Sequence, residues 1–147
     1  VLLAFQFIGA TLLSILKRIS FEEILNAAET VWVNRTTAKK VAQAAFEIIT
    51  KTSKNKVTFF NGRSSKSILG GLFYLLGFRY SNVKTQKKIA AQLGTTDVTV
   101  RVSYRKWLEE FPDLFPDVIG KLEESGQYFS SNDDTQGHFK TRAHFEH

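Results

Sequence analysis

The sequence predicts an all-α fold that contains a helix-turn-helix. Three observations carry that expectation. Apolar residues recur at helical spacing through most of the region between Phe21 and Phe111. Only two prolines and nine glycines interrupt the 147 residues, so long helices are possible. A glycine also stands between two short amphipathic segments, at Gly94, where one helix stops and another begins. Hydrophobic content of 43% with 13 phenylalanines excludes a disordered chain, and the length suits one domain with one core.

The elements follow in order. Residues 1–16, "VLLAFQFIGATLLSIL", carry no formal charge. The run falls short of the ~20 apolar residues of a membrane span, and Gln6, Thr11 and Ser14 interrupt it. Lys17 and Arg18 follow the apolar run instead of preceding it, unlike a signal peptide. Residues 1–20 therefore read as an extra N-terminal packing helix; a membrane or interface anchor and an artefact of where the chain was cut are the alternatives. Methionine is absent even at position 1, so Val1 need not be the natural start.

Ser20 is placed to cap the next helix, with Glu22 and Glu23 in its first turn favouring the dipole. Phe21, Ile24, Leu25, Ala28 and Trp32 form its inner face. Asn34-Arg35-Thr36 is formally a glycosylation sequon, but helix punctuation is the expected role. A helix over roughly Thr37 to Thr52 buries Val41, Ala45, Ile48 and Ile49 and leaves Lys39 and Lys40 outside. Asn61-Gly62 marks a turn. The segment from Ile68 to Phe78 is apolar almost all round, so it belongs in the middle of the domain. Gly70 and Gly71 each cost ~1 kcal/mol inside a helix; a close crossing with a neighbouring backbone explains the pair.

Thr85 caps the short helix "QKKIAAQL", which turns Ile89, Ala90 and Leu93 inward. Gly94 takes the left-handed position at its end. Thr96 caps the following helix, with Asp97 in its first turn. On a helical wheel, Val100, Tyr104, Trp107, Leu108 and Phe111 gather on one side and Val98, Arg101, Val102 and Arg105 on the other. Two guanidinium groups among compact apolar side chains suit a major-groove reader: Arg pairs with guanine O6 and N7, and a short apolar group meets a thymine methyl or excludes a base. The same spacing fits a plain helical hairpin with surface arginines.

Charge favours the first reading. Between Arg35 and Lys106 there are 15 Lys and Arg against Glu47 and Asp97, a balance of +13, within a chain whose net charge is +6. A basic middle between neutral and acidic flanks is the footprint of a polyanion partner, although a merely solvated surface also carries such charge. The face of Val98, Arg101, Val102 and Arg105 is the expected reading surface. Lys84, Lys87, Lys88 and Arg105 would set register on the phosphates, with Thr85, Gln86, Thr96 and Thr99 as secondary contacts and Ser103 as a further phosphate donor.

Other chemistry finds little support. Without cysteines there are no disulfides, thiolate zinc sites or cysteine nucleophiles. No Ser/His/Asp arrangement, phosphate-cradling glycine loop or carboxylate pair can be placed, so neither an enzyme nor a cofactor or metal is expected. His138, His144 and His147 lie in a polar stretch that reads as a flexible tail more readily than a metal site.

"KTQKKIAAQLGTTDVTVRVSYRKW" closely resembles the end of the second cyclin-like repeat in the family of transcription initiation factor IIB and archaeal transcription factor B. Upstream, "GRSSKSILGGLFYLLGFR" resembles that family's central helix, with Gly70 and Gly71 where small alanines are usual. "PDLFP" is similar to the eukaryotic extension after the repeat. The resemblance implies a five-helix cyclin-like fold seated on double-stranded promoter DNA beside the TATA-binding protein. It implies a helix-turn-helix that reads a GC-rich element upstream of the TATA box, with Val98 and Arg101 at the base-reading positions. It further implies assembly with RNA polymerase and a location inside the cell, in a nucleus or an archaeal-type cytoplasm (nucleoid). A membrane partner is not expected.

Departures from the family accompany this. The cysteine-free chain holds no zinc ribbon of the kind that recruits the polymerase, and its length suits one complete repeat, so it reads as a fragment or a reduced homologue. Lys84 replaces the usual Arg, and Val102 and Lys106 also differ from common choices, which implies a shifted DNA preference. The expected organisation is an apolar helix over residues 1–20, a cyclin-like repeat over 21–119 with its helix-turn-helix at 85–108, and a polar tail over 120–147. Two other functions fit the sequence. One is a protein-binding cyclin-box adaptor using the apolar N-terminus, Phe59-Phe60 and "EEFPDLFPD". The other is a stand-alone helix-turn-helix regulator dimerising through residues 1–16.

Overall fold

The computed structural model describes residues 19–126. The expected N-terminal helix up to residue 18 and the tail from residue 127 lie outside the described residues. Within them the chain is all α, with six α-helices and no strand: α1 Phe21–Val31, α2 Arg35–Asn55, α3 Ser65–Arg79, α4 Gln86–Leu93, α5 Asp97–Glu110 and α6 Pro116–Glu124. Short 3₁₀ turns at Val57–Phe60 and Pro112–Leu114 link α2 to α3 and α5 to α6.

The helix starts are written in hydroxyl and amide caps. Ser20 Oγ accepts from the Glu23 amide at 3.2 Å. Asn34 Oδ1 accepts from Thr36 and Thr37 at 2.9 and 3.4 Å, so the sequon asparagine opens α2, at Arg35 instead of Thr37. At the other end α2 runs past Thr52 to Asn55. The Thr52 and Ser53 hydroxyls donate back to the carbonyls of Ile48 and Thr50, which lets two polar residues be buried inside the last turns.

Helix α3 occupies the centre. Every residue from Ile68 to Phe78 is buried, because α3 contacts α2, α4, α5 and α6. Its closest neighbour is α5. A Cβ on Gly71 would stand 2.5 Å from the Tyr104 amide nitrogen and 2.6 Å from the Ser103 carbonyl carbon, so the two backbones cross there. Two side-chain bonds tie the crossing: Trp107 Nε1 donates to the Ile68 carbonyl at 3.1 Å, and Ser103 Oγ donates to the Ser67 carbonyl. Phe59, Phe60, Phe111 and Phe115 ring Trp107 with edge and tilted contacts.

Phe59 and Phe60 are thus core residues, 7% and 1% exposed, and are not available to the partner surface that their sequence position suggested. Their burial follows from the 3₁₀ turn, which aims both rings at α5.

The end of the domain is held by ions and a hydrogen-bonded cation. Arg79 donates to both Asp117 carboxylate oxygens at 3.1 and 3.2 Å and to the Leu114 carbonyl at 2.6 Å. Lys121 Nζ donates to the Phe78 carbonyl at 2.9 Å. With Phe115, Val118 and Leu122 fully buried, α6 packs on α3 and continues past residue 119 to Glu124.

The Arg79 hydrogen bonds hold the Asp117 carboxyl below its ordinary value of 3.8. A folded-state pKa below the unfolded one stabilises the fold above the unfolded value and is lost as pH falls through the folded value. Asp117→Asn is therefore expected to flatten the acid limb of a stability–pH curve measured by urea unfolding. Its effect should vanish at pH values below the folded pKa. An unchanged acid limb would show that this pair contributes nothing to acid sensitivity.

Candidate nucleic-acid interface

The site begins with a loop that cannot wander. Trp32 Nε1 donates to the Asn82 carbonyl at 2.9 Å. That carbonyl passes so close to Gly77 that a Cβ there would lie 3.2 Å away. Ser81 takes a left-handed φ of 54° to make the bend. The chain then enters α4, where Thr85 Oγ1 accepts from the Lys88 amide at 3.1 Å.

Gly94 ends α4 with φ 73° and ψ 41°, a conformation glycine adopts without a Cβ clash. Thr96 starts α5, accepting from the Thr99 amide at 3.2 Å and sharing a 2.9 Å hydroxyl–hydroxyl bond with Thr99. Each cap and the left-handed glycine stand where the sequence places them. Ile89 and Ala90 of α4 and Val100, Tyr104, Trp107 and Leu108 of α5 are buried; Leu93 and Phe111 pack against the core half-buried.

The outward side of α5 is built from Val98 and Val102, each 51% exposed, with exposed Arg105 beside them. Arg101 is half-buried, because one step of ~100° from Val100 sets it on the flank of this face. On α4, Lys87 and Lys88 are exposed and Lys84 is half-buried just before the helix. Gln86 is half-buried, and its side chain hydrogen-bonds Tyr74. Burial raises the Tyr74 phenol above its ordinary pKa, opposed by the Gln86 bond and reinforced by nearby Tyr104. Gln86 thus faces inward for part of its length. Ser103, expected to reach phosphate, is 2% exposed and bonded to Ser67. That expectation is corrected: the close α3–α5 crossing at Gly71 leaves Ser103 inside.

Three ion pairs are present among the described residues. Lys56 pairs with Glu110 at 3.0 Å, Arg79 with Asp117 at 3.1 Å and Lys106 with Glu109 at 3.4 Å, all toward the α5–α6 end. Among the described residues, Lys66, Lys84, Lys87, Lys88, Arg101 and Arg105 have no ion-pair partner. Lys66 was not evident from sequence. It stands at the start of α3, yet its ammonium lies beside the turn, 3.3 Å from where a Gly94 Cβ would be. Only the α3–α5 crossing brings it there, and no local pattern signals it.

Among the described residues no group of His, Cys, Asp or Glu is clustered to hold a metal ion; the three tail histidines lie outside them. No helix among the described residues is long and apolar enough to cross a membrane.

Known proteins are similar to this chain in sequence. Over 78 residues the chain is 36% identical to transcription initiation factor IIB of Homo sapiens, Mus musculus and Xenopus laevis. The aligned part is 53% of this chain and 24% of each relative, so it spans about a quarter of their length. No solved structure matches the chain at a significant level. The sequence pattern of the transcription factor TFIIB repeat matches residues 21–110, from the first residue of α1 to the last of α5. The five helices of that span, with α3 buried at their centre, are the all-α cyclin-like form of the repeat, and the chain belongs to the transcription factor TFIIB repeat family.

Proposed function

We propose that this domain binds double-stranded promoter DNA next to the TATA box and assists assembly of the pre-initiation complex with TATA-binding protein and RNA polymerase. It acts there as an assembly factor and not as a catalyst, inside a nucleus or an archaeal-type cytoplasm. The observation that carries the reading is the capped helix-turn-helix of α4 and α5, whose second helix exposes Val98 and Val102 and which carries Lys84, Lys87, Lys88, Arg101 and Arg105, with Lys66 beside its turn. α5 enters the major groove as the second helix of a helix-turn-helix. Val98 and Arg101 face base edges, while Arg105, Lys84, Lys87 and Lys88 hold phosphates. Thr85 and Thr96 serve as caps, and with Thr99 and Gln86, whose amide also bonds Tyr74, they supply secondary contacts. Lys66 joins the phosphate contacts from α3, beside the Gly94 turn.

A salt titration of binding to a GC-rich promoter duplex, with and without TATA-binding protein, tests this. Lys66→Ala and Lys87→Ala are each expected to weaken binding to all sequences alike. Each should lower the slope of log K against log[salt] by about 1. No binding at low salt in either condition would refute DNA recognition. It would leave the adaptor reading, which the open groove lined by Phe21, Leu25, Ala44 and Tyr80 with Lys39 and Lys40 on its rim favours.

A further inference from the structure

We infer that the centre of the α5 face reads the 5-methyl group of a pyrimidine in the major groove, and that Val102 is a specificity residue for it alongside Val98. The inference rests on the DNA-binding reading and refines it. Large apolar side chains exposed to solvent are few among the described residues: Val33, Val83, Val98 and Val102. Two of the four stand on α5, one turn apart, where i,i+4 side chains are neighbours ~5–6 Å apart. They form a short apolar ridge along the helix axis, and nothing in the described fold covers it.

The two arginines sit differently. Arg101 lies on the flank of that ridge, half-buried, and Arg105, three residues after Val102 and exposed, continues the same face. What the first turns of α5 present most directly is therefore two branched hydrocarbon tips with cations along one side.

In the major groove, the thymine methyl is the apolar feature that distinguishes a base pair. Cytosine offers the same position bare, and 5-methylcytosine fills it. A valine facing it gains contact and excludes water; facing the amino group of cytosine or adenine, it leaves a polar group without a partner. The ridge also has the rigidity that such discrimination needs. Its helix is fixed at the Gly71 crossing and by the Trp107–Ile68 and Ser103–Ser67 bonds, so the valines cannot retreat to accommodate a wrong base.

The test uses a duplex that the full chain selects from a randomised pool. Each thymine in the selected site is replaced singly by uracil, which removes only the methyl, and each cytosine by 5-methylcytosine, which adds only the methyl. At one or two positions, uracil is expected to lower affinity about fourfold, the worth of one buried methyl-sized group. Val102→Ala should bring the thymine-to-uracil ratio to about 1 at one of them and leave the other unchanged; Val98→Ala should do the reverse. Both variants change half-exposed positions and should keep the wild-type melting temperature or raise it slightly.

A site selected with clear sequence preference but with thymine and uracil equivalent throughout would overturn methyl reading and leave DNA reading intact. Enrichment of no sequence, with binding retained, would overturn it as well. Absence of binding to any duplex at low salt would overturn both.

Discussion

Gly71→Ala is expected to cost about 2–3 kcal/mol of folding stability, the upper part of the range for overpacking. That is a fall in Tm of roughly 10 °C or more for a domain of this size. Alanine is the better helix former by ~1 kcal/mol, and in an exposed helix the change would stabilise. Here the added methyl meets the α5 backbone, at 2.5 Å from the Tyr104 nitrogen and 2.6 Å from the Ser103 carbonyl carbon. A backbone cannot rotate out of the way, so α3 and α5 must separate. Separation stretches the Trp107–Ile68 and Ser103–Ser67 bonds and opens the packing around Val100 and Tyr104.

Gly70→Ala is the control. Its methyl meets the Val100 Cγ2 at 3.2 Å, a side-chain contact that a small adjustment relieves. Its net effect should stay within about 1 kcal/mol of zero, with propensity offsetting crowding. Chemical denaturation of both variants decides the matter. Equal stability of Gly71→Ala and wild type would mean that the crossing is looser than the structure has it. A displaced α5 should also lower DNA affinity in Gly71→Ala.

Arg101→Ala is expected to reduce discrimination between the preferred promoter site and single-base variants by ~1–3 kcal/mol, the range for one lost bidentate contact to guanine. Stability should change little, because Arg101 makes no ion pair among the described residues. Arg101→Lys should recover affinity for DNA in general but not the discrimination, since an ammonium lacks the planar two-donor fork. Quantitative gel shifts at fixed salt separate the terms. If wild type and Arg101→Ala show the same preference among sites, Arg101 is not a base reader and Arg105 becomes the stronger candidate.

The caps were legible residue by residue. Ser20, Thr85, Gly94 and Thr96 act within one helical turn, so their roles follow from neighbours in the chain. The inner faces of α1, α2 and α5 were equally plain, because a helix with a 3.6-residue period needs no partner to reveal which stripe avoids water. The all-apolar α3 announced its central place in the same way, and its glycine pair announced a close crossing. Helix ends were less plain: α2 begins earlier and ends later than its apolar pattern, since an asparagine cap and buried hydroxyls extend it beyond the hydrophobic positions.

Four features escaped the sequence reading for a common reason: they depend on which helices meet. Ser103 reads as a surface hydroxyl on a wheel, yet the Gly71 crossing buries it. Phe59 and Phe60 look like a sticky loop, yet a 3₁₀ turn sends them into the aromatic cluster around Trp107. Arg79 and Lys121, which no local pattern singles out, fasten α6 to the end of α3. Lys66 sits by the Gly94 turn only because α3 passes beneath it.

The sequence by itself determined the helical class, the family, the caps, the left-handed turn and the main apolar stripes of α1, α2, α4 and α5. Those properties come from interactions within a few residues, or from a periodicity that any single helix displays. The tertiary structure decided which basic residues are neutralised and which stand free, and that Val98 and Val102 form the outermost ridge while Arg101 takes the flank. Ion pairing and exposure are properties of distances between elements, and no local pattern encodes those distances.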